Sequence, residues 1–226
     1  TGSSDFKRDG CMDTWGWVAD IVNMGAGNVN EMLCPASPLK GSEKLNDLVG
    51  VVNTQETKDG TPPGRLDSGA CIELVTLTAG SPERLQFIAK NFMEKGYNSN
   101  YAASWYLARS APRLAAAAGS PPTQVTIAGL KGLGGTLGPI SVRQIENSGI
   151  STDILPFLGC SGPGDISEAL MSNTIPGYVQ AGERLSEAMN DGPGYWDSSS
   201  SRVILAPAGT VVPNTAPVLP GRNDSP

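Results

Sequence analysis

The chain has 226 residues, a formal net charge of −6 and a sequence pI of about 4.7. An acidic surface repels phosphate, so nucleic acid is excluded as an expected partner. No stretch approaches the ~20 apolar residues of a membrane span, and the complete absence of histidine removes the commonest general base, Ser-His-Asp chemistry and all histidine metal sites.

Hydrophobic residues make up 39% of the chain, while 28 glycines and 18 prolines account for about a fifth of it. That balance predicts a folded domain rich in turns rather than a disordered chain. Four cysteines, Cys11, Cys34, Cys71 and Cys160, are too widely spaced for a zinc ribbon or a redox C-x-x-C motif. An even count permits two disulfides in an oxidising compartment, with three pairings open; Cys34–Cys71 is the pair expected.

Residues 1–13 are polar. Between Trp15 and Met24, Trp17, Val18, Ile21 and Val22 fall on one helical stripe, which Gly25 and Gly27 end. Ser42 to Val49 reads as a short helix with Ser42 as N-cap, Leu45, Leu48 and Val49 inward, and Gly50 as the stop. Residues 53–69 are a polar loop. Cys71 to Leu77 is apolar and fits either a strand or a buried helical turn.

The clearest element starts at Ser81, an N-cap followed by Pro82 at the first helical position. Leu85, Ile88, Ala89, Phe92 and Met93 follow the spacing of one helix face, and Gly96 follows the last turn. Tyr101 to Arg109 is expected to be a strand for that helix to cover. Gln124 to Ile127 is a further strand edge, and the five glycines between Gly129 and Gly138 a loop. Ser141 with Gln144 forms a capping box. Ile154 to Leu158 reads as a strand broken by Pro156, Glu183 to Met189 as a short helix, and Arg202 to Ala206 as a final strand. Residues 207–226 read as an extended proline-rich tail beyond a single domain of residues 1–206. Irregular alternation of short helices and strands points to an α+β fold.

Three motifs invite a chemical reading. Gly129 to Gly135 lacks the G-K-[ST] ending and the register of a nucleotide loop. Asn190 to Asp197 gathers the Asp191 and Asp197 carboxylates with turn carbonyls, hard oxygen ligands suited to calcium. An Asx turn is the plainer account, and no other cofactor is expected. Trp15, Trp17, Trp105, Tyr106 and Trp196 suit a sugar-stacking platform or, more commonly, core anchors.

Several segments in order carry a resemblance: Lys7 to Gly10, Trp17 to Asn23, Glu31 to Pro38, Gly41 to Asp47, Glu94 to Asn98, Asn100 to Tyr106, Arg143 to Asn147, Pro163 to Asp165, Glu168-Ala169, Arg184 to Glu187 and Asn190 to Pro193. Together they resemble a bacterial pseudopilin family with a prepilin-type N-terminal helix and a C-terminal His-x9-Asp-Gly element. Neither of those two features lies in this chain. The resemblance implies an antiparallel sheet with packed helices and long loops, the pilin-like head of an exported type IV pilus-like or type II secretion-like subunit. Its expected partners are further copies of itself and other pilins. Membrane contact is expected only through the helix this chain lacks, and no enzymatic activity is expected. A secreted glycan- or protein-binding adhesin module is the alternative.

Overall fold

The computed structural model describes residues 11–51, 68–110, 114–115, 123–124, 137–147, 149, 151–154, 156–164, 168–188, 193–197, 202–205 and 218–220. The elements are short, as the density of glycine and proline dictates. Helix α1 runs Trp17–Asn23, and a 3-10 turn follows at Val29–Glu31. Helix α2 is Lys44–Val49, with Ser42 Oγ accepting from the Lys44 amide at 3.3 Å and left-handed Gly50 (φ 77°) closing it. Leu45, Leu48 and Val49 are fully buried, as their spacing predicts.

Cys71–Leu74 is a single helical turn, α3, which settles the open choice at that segment. Helix α4, Pro82–Ile88, starts where expected, with Ser81 Oγ accepting from the Arg84 amide at 3.2 Å. It continues through a π turn at Ala89–Met93. Ile88, Phe92 and Met93 lie in the core, but Leu85 only packs against it. Arg84 is fully buried instead, donating from Nε to the Leu48 carbonyl (2.6 Å) and from Nη1 to the Leu77 carbonyl (3.0 Å). Those bonds satisfy carbonyls near the ends of α2 and α3 and tie both to α4.

The strand expected over Tyr101–Arg109 is two elements. Strand β1 is Tyr101–Ala103, and helix α5 is Trp105–Arg109. Ser104 Oγ accepts from the Leu107 amide at 3.2 Å, so an N-cap stops the strand and opens the helix. Strands β2, Leu114–Ala115, and β3, Thr123–Gln124, pair with each other. Helix α6, Val142–Glu146, carries the predicted capping box between Ser141 and Gln144.

A 3-10 turn occupies Thr152–Ile154, and β4 is Leu158–Cys160, so the strand lies beyond Pro156 rather than across it. It pairs antiparallel with β1, Tyr101 opposite Cys160. The helix expected at Glu183 is absent up to Ala188; Arg184 and Ser186 form β-bridges instead. Strands β5, Pro193–Asp197, β6, Arg202–Leu205, and β7, Val218–Pro220, make a three-stranded antiparallel sheet with β5 central. Strand β7 falls inside the span expected to be a tail.

The architecture is α+β, with helices around small antiparallel sheets. One hydrophobic cluster unites α2, α3, α4 and its π turn with Met171, Ile175, Val179 and Leu185. No helix among the described residues is long and apolar enough to cross a membrane. Truncating a fully buried ring in this cluster leaves a cavity. Phe92→Ala is expected to lower unfolding stability by about 3–5 kcal/mol. Val142→Ala, at a position 68% exposed, is expected to change it by less than about 0.5 kcal/mol. Urea titration of both variants checks this.

Candidate functional site

Residues 32–43, 98–100, 162–164, 168–172 and 184–188 lie outside helices and strands, so their backbone polar groups need other partners. Three buried asparagines supply them. Asn100 accepts from the Cys34 amide (2.7 Å) and donates to the Cys34 (3.3 Å) and Leu39 (2.9 Å) carbonyls. Asn98 accepts from the Ser42 amide (3.2 Å) and donates to the Lys40 carbonyl (3.0 Å) and to Asn30 Oδ1 (2.8 Å). Asn46 donates to the Glu168 (2.9 Å) and Leu170 (2.8 Å) carbonyls and accepts from the Ser172 amide (2.9 Å).

Ser186 completes the junction. Its amide donates to the Gly41 carbonyl (2.8 Å), and its carbonyl accepts from the Glu43 amide (2.9 Å). The approach is close enough to require glycine at two places. A Cβ on Gly41 would stand 2.6 Å from Leu45 Cδ1 and 2.9 Å from Asn98 Oδ1, and one on Gly164 would stand 3.1 Å from Glu43 Cβ.

Three carboxyl groups gather around this junction. Glu43 and Glu168 are each 1% exposed, and Glu187 is half-buried. Burial pushes Glu43 up to about 9, against the opposing charge of Lys44; Glu187, through charge and a side-chain hydrogen bond, and Glu168 push in the same direction. Glu43 is therefore a neutral carboxylic acid at pH 7. Both side-chain oxygens of Glu168 are buried without a hydrogen-bond partner, as is Ser186 Oγ. Lys44 Nζ pairs with Asp47 Oδ2 at 3.2 Å, an ion pair local to α2. Glu43 and Glu168 are sealed from solvent, so they offer no substrate a carboxylate of the kind an acid-pair hydrolase exposes.

A second acid sits by the N-terminal bridge. Asp13 accepts from the Ala70 amide at 2.7 Å, and its Oδ1 is buried and unpartnered. Burial raises its carboxyl above 3.8, against the Ala70 bond. The Asp13 carbonyl accepts from Asn23 Nδ2 (2.8 Å), whose Oδ1 accepts from the Tyr97 hydroxyl (2.6 Å). The side-chain ligand atoms of Cys11, Asp13 and Cys71 lie within 4.8 Å of one another; both sulfurs are spent on a disulfide.

The cysteine pairing differs from the expected one. Cys34 does bridge and Cys71 does bridge, but not to each other: the disulfides are Cys11–Cys71 (Cα–Cα 5.9 Å) and Cys34–Cys160 (6.4 Å). The chain path decides this. Turn α3 packs Cys71 into the core beside Cys11. Asn100 fixes Cys34 next to β1, whose partner β4 carries Cys160. The two covalent loops overlap in sequence, with separations of 60 and 126 residues that correspond to about 4 and about 5 kcal/mol of chain-entropy stabilisation. Both bridges suit folding in an oxidising, extracytoplasmic compartment.

Of the candidate calcium ligands, Asp191 lies outside the described residues. Asp197 stands at the end of β5 opposite Arg202, with no side-chain description. The Gly129–Gly135 loop is also outside them. Trp105 is 1% exposed and packs edge-on to Tyr106 with ring centroids 5.4 Å apart. It is a core anchor, which removes it from any sugar-stacking surface. The residues that sequence reasoning passed over are Asn46, Asn98, Asn100, Glu43, Glu168 and Glu187. Each lies inside a segment that carries the resemblance, and that was the signal available.

Comparison with family models, with curated proteins and with solved structures returned no match.

The Glu43 carboxyl links stability to pH. Its folded value, about 9, lies above the ordinary 4.5, so the folded chain holds a proton that the unfolded chain releases. Its contribution is complete below pH 4.5, declines as pH rises and is lost above about 9. Raised Asp13 acts in the same direction nearer pH 4. Urea unfolding is expected to show stability falling between pH 5 and 9, with a slope of up to about 1.4 kcal/mol per pH unit from Glu43. Glu43→Gln keeps shape and neutrality, so it is expected to flatten that slope and to be more stable than the parent at pH 8.

Proposed function

We propose that this chain is the soluble head of a pilin-like or pseudopilin-like subunit, an exported protein that works by assembly into a filament rather than by catalysis. The observation that carries the proposal is a convergence. Gly41–Asp47, Asn98, Asn100–Ala103, Pro163-Gly164, Glu168-Ala169 and Arg184–Glu187, which belong to about half of the segments on which the resemblance rests, meet at one hydrogen-bonded junction. The buried polar side chains among them, Asn46, Asn98 and Asn100, join distant parts of the chain. That is the use expected of residues that maintain a load-carrying scaffold. The two disulfides agree with an exported location, and the helices with small antiparallel sheets and long loops agree with a head of this type.

A secreted adhesin module is the competing reading, but Trp105 is not free to stack on a sugar. The test is the location of the chain on the source cells. Filaments sheared from the cell surface and probed with antibody against this chain are expected to be decorated along their length. The gene upstream of Thr1 is expected to encode a prepilin-type cleavage site and an apolar helix. A plain secretory signal peptide, with the antigen recovered only as a free soluble protein, overturns the proposal.

A further inference from the structure

The two disulfides occupy opposite environments. Cys11 and Cys71 are 0% and 1% exposed and belong to the hydrophobic core. Cys34 is 6% exposed, but Cys160 lies in β4, where all three residues are exposed. The space around β4 is open: a Cβ added to Gly159 or Gly162 meets nothing within 4 Å. Thiol–disulfide exchange requires in-line access of a thiolate to one sulfur, and of the four cysteines only Cys160 is exposed.

We propose that Cys160 is a thiol–disulfide exchange site, at which a dithiol opens the Cys34–Cys160 bridge and frees β4 while the core remains closed. The attacking thiolate bonds to Cys160 Sγ as the S–S bond breaks, and the electron pair leaves on Cys34 Sγ, which takes up a proton. The second thiol of the dithiol, as thiolate, then displaces Cys160 Sγ, which is protonated in turn. The protein gains two electrons and two protons, and the dithiol becomes a disulfide.

The two ends of the opened bridge respond differently. Cys34 stays in place, because its amide and carbonyl are both held by Asn100. Strand β4 keeps its three-residue pairing with β1 and the bond from the Ser104 amide to the Phe157 carbonyl at 2.8 Å, while residues 161–164 stay bonded to Leu185 and Glu187. The core cluster retains Cys11–Cys71 and every apolar contact, since neither Cys34 nor Cys160 belongs to it. The bridge is thus a releasable strap over residues 156–160.

The oxidised protein is treated with graded dithiothreitol and, separately, with a reduced C-x-x-C dithiol protein. Free thiols are alkylated over time and mapped by mass spectrometry, with hydrogen exchange followed in parallel. Cys34 and Cys160 are expected to be alkylated at least tenfold faster than Cys11 and Cys71 with both reductants. Faster exchange is expected across 156–160 and not across Ile88–Met93. Simultaneous opening of both bridges, earlier opening of Cys11–Cys71, or loss of protection in Ile88–Met93 overturns the proposal. The Cys34→Ser, Cys160→Ser double variant is expected to fold with Cys11–Cys71 intact and to show the same local exchange. Failure of that variant to fold also overturns it, because the core would then depend on the strap.

Discussion

The structure depends on buried asparagine side chains that do for loops what helices and ladders do elsewhere. A backbone amide or carbonyl buried without a partner costs about 1–3 kcal/mol, and several described segments of this chain lie outside helices and strands. Asn46, Asn98 and Asn100 are each 0–1% exposed, and each uses both its carbonyl oxygen and its amide nitrogen on other segments. The primary amide is the side chain that can accept from one strand of backbone and donate to another at once. Aspartate would bring a charge, and leucine would orphan the backbone groups. Arg84 makes the same kind of connection from α4, using a guanidinium in place of an amide.

Acid burial follows from the same packing. Once Asn46 and Ser186 have drawn residues 41–46, 168–172 and 184–187 together, Glu43, Glu168 and Glu187 are forced into one neighbourhood. Burial in this packing disfavours the charged form of Glu43, with smaller contributions from Glu187 and Glu168, and raises its carboxyl to about 9. The gathering of acids records how tightly the segments meet. Covalent bonds then reinforce the arrangement from two sides. Cys11–Cys71 locks the core, and Cys34–Cys160 fastens β4 to the loop that Asn100 holds.

What the sequence made legible was local. The Ser81-Pro82 start of α4, the Ser141–Gln144 capping box and the buried face of Leu45, Leu48 and Val49 follow from interactions within four residues, and all three stand as read. The α+β class was also legible, from the irregular alternation of patterns. The aromatic run Tyr101–Arg109 misled because strand preference and helix capping compete there, and Ser104 decides for a cap. The span Glu183–Ala188 has helix-forming composition, but its backbone bonds go to Gly41, Glu43, Gly162 and Ala169, partners that no local pattern reveals. The disulfide pairing failed for the same reason, since it is set by which elements adjoin in space. The junction itself was invisible residue by residue, because its hydrogen bonds join segments far apart in the chain.

Native-state hydrogen exchange tests the central claim most directly, because it reads each backbone amide separately. The amides of Cys34, Ser42 and Ser172 lie outside helices and sheets and donate to asparagine side chains. They are predicted to be protected to the same degree as the helical amides of α4 and to exchange only on global unfolding. Exchange of these three at the rate of open loops, with α4 still protected, would contradict the account.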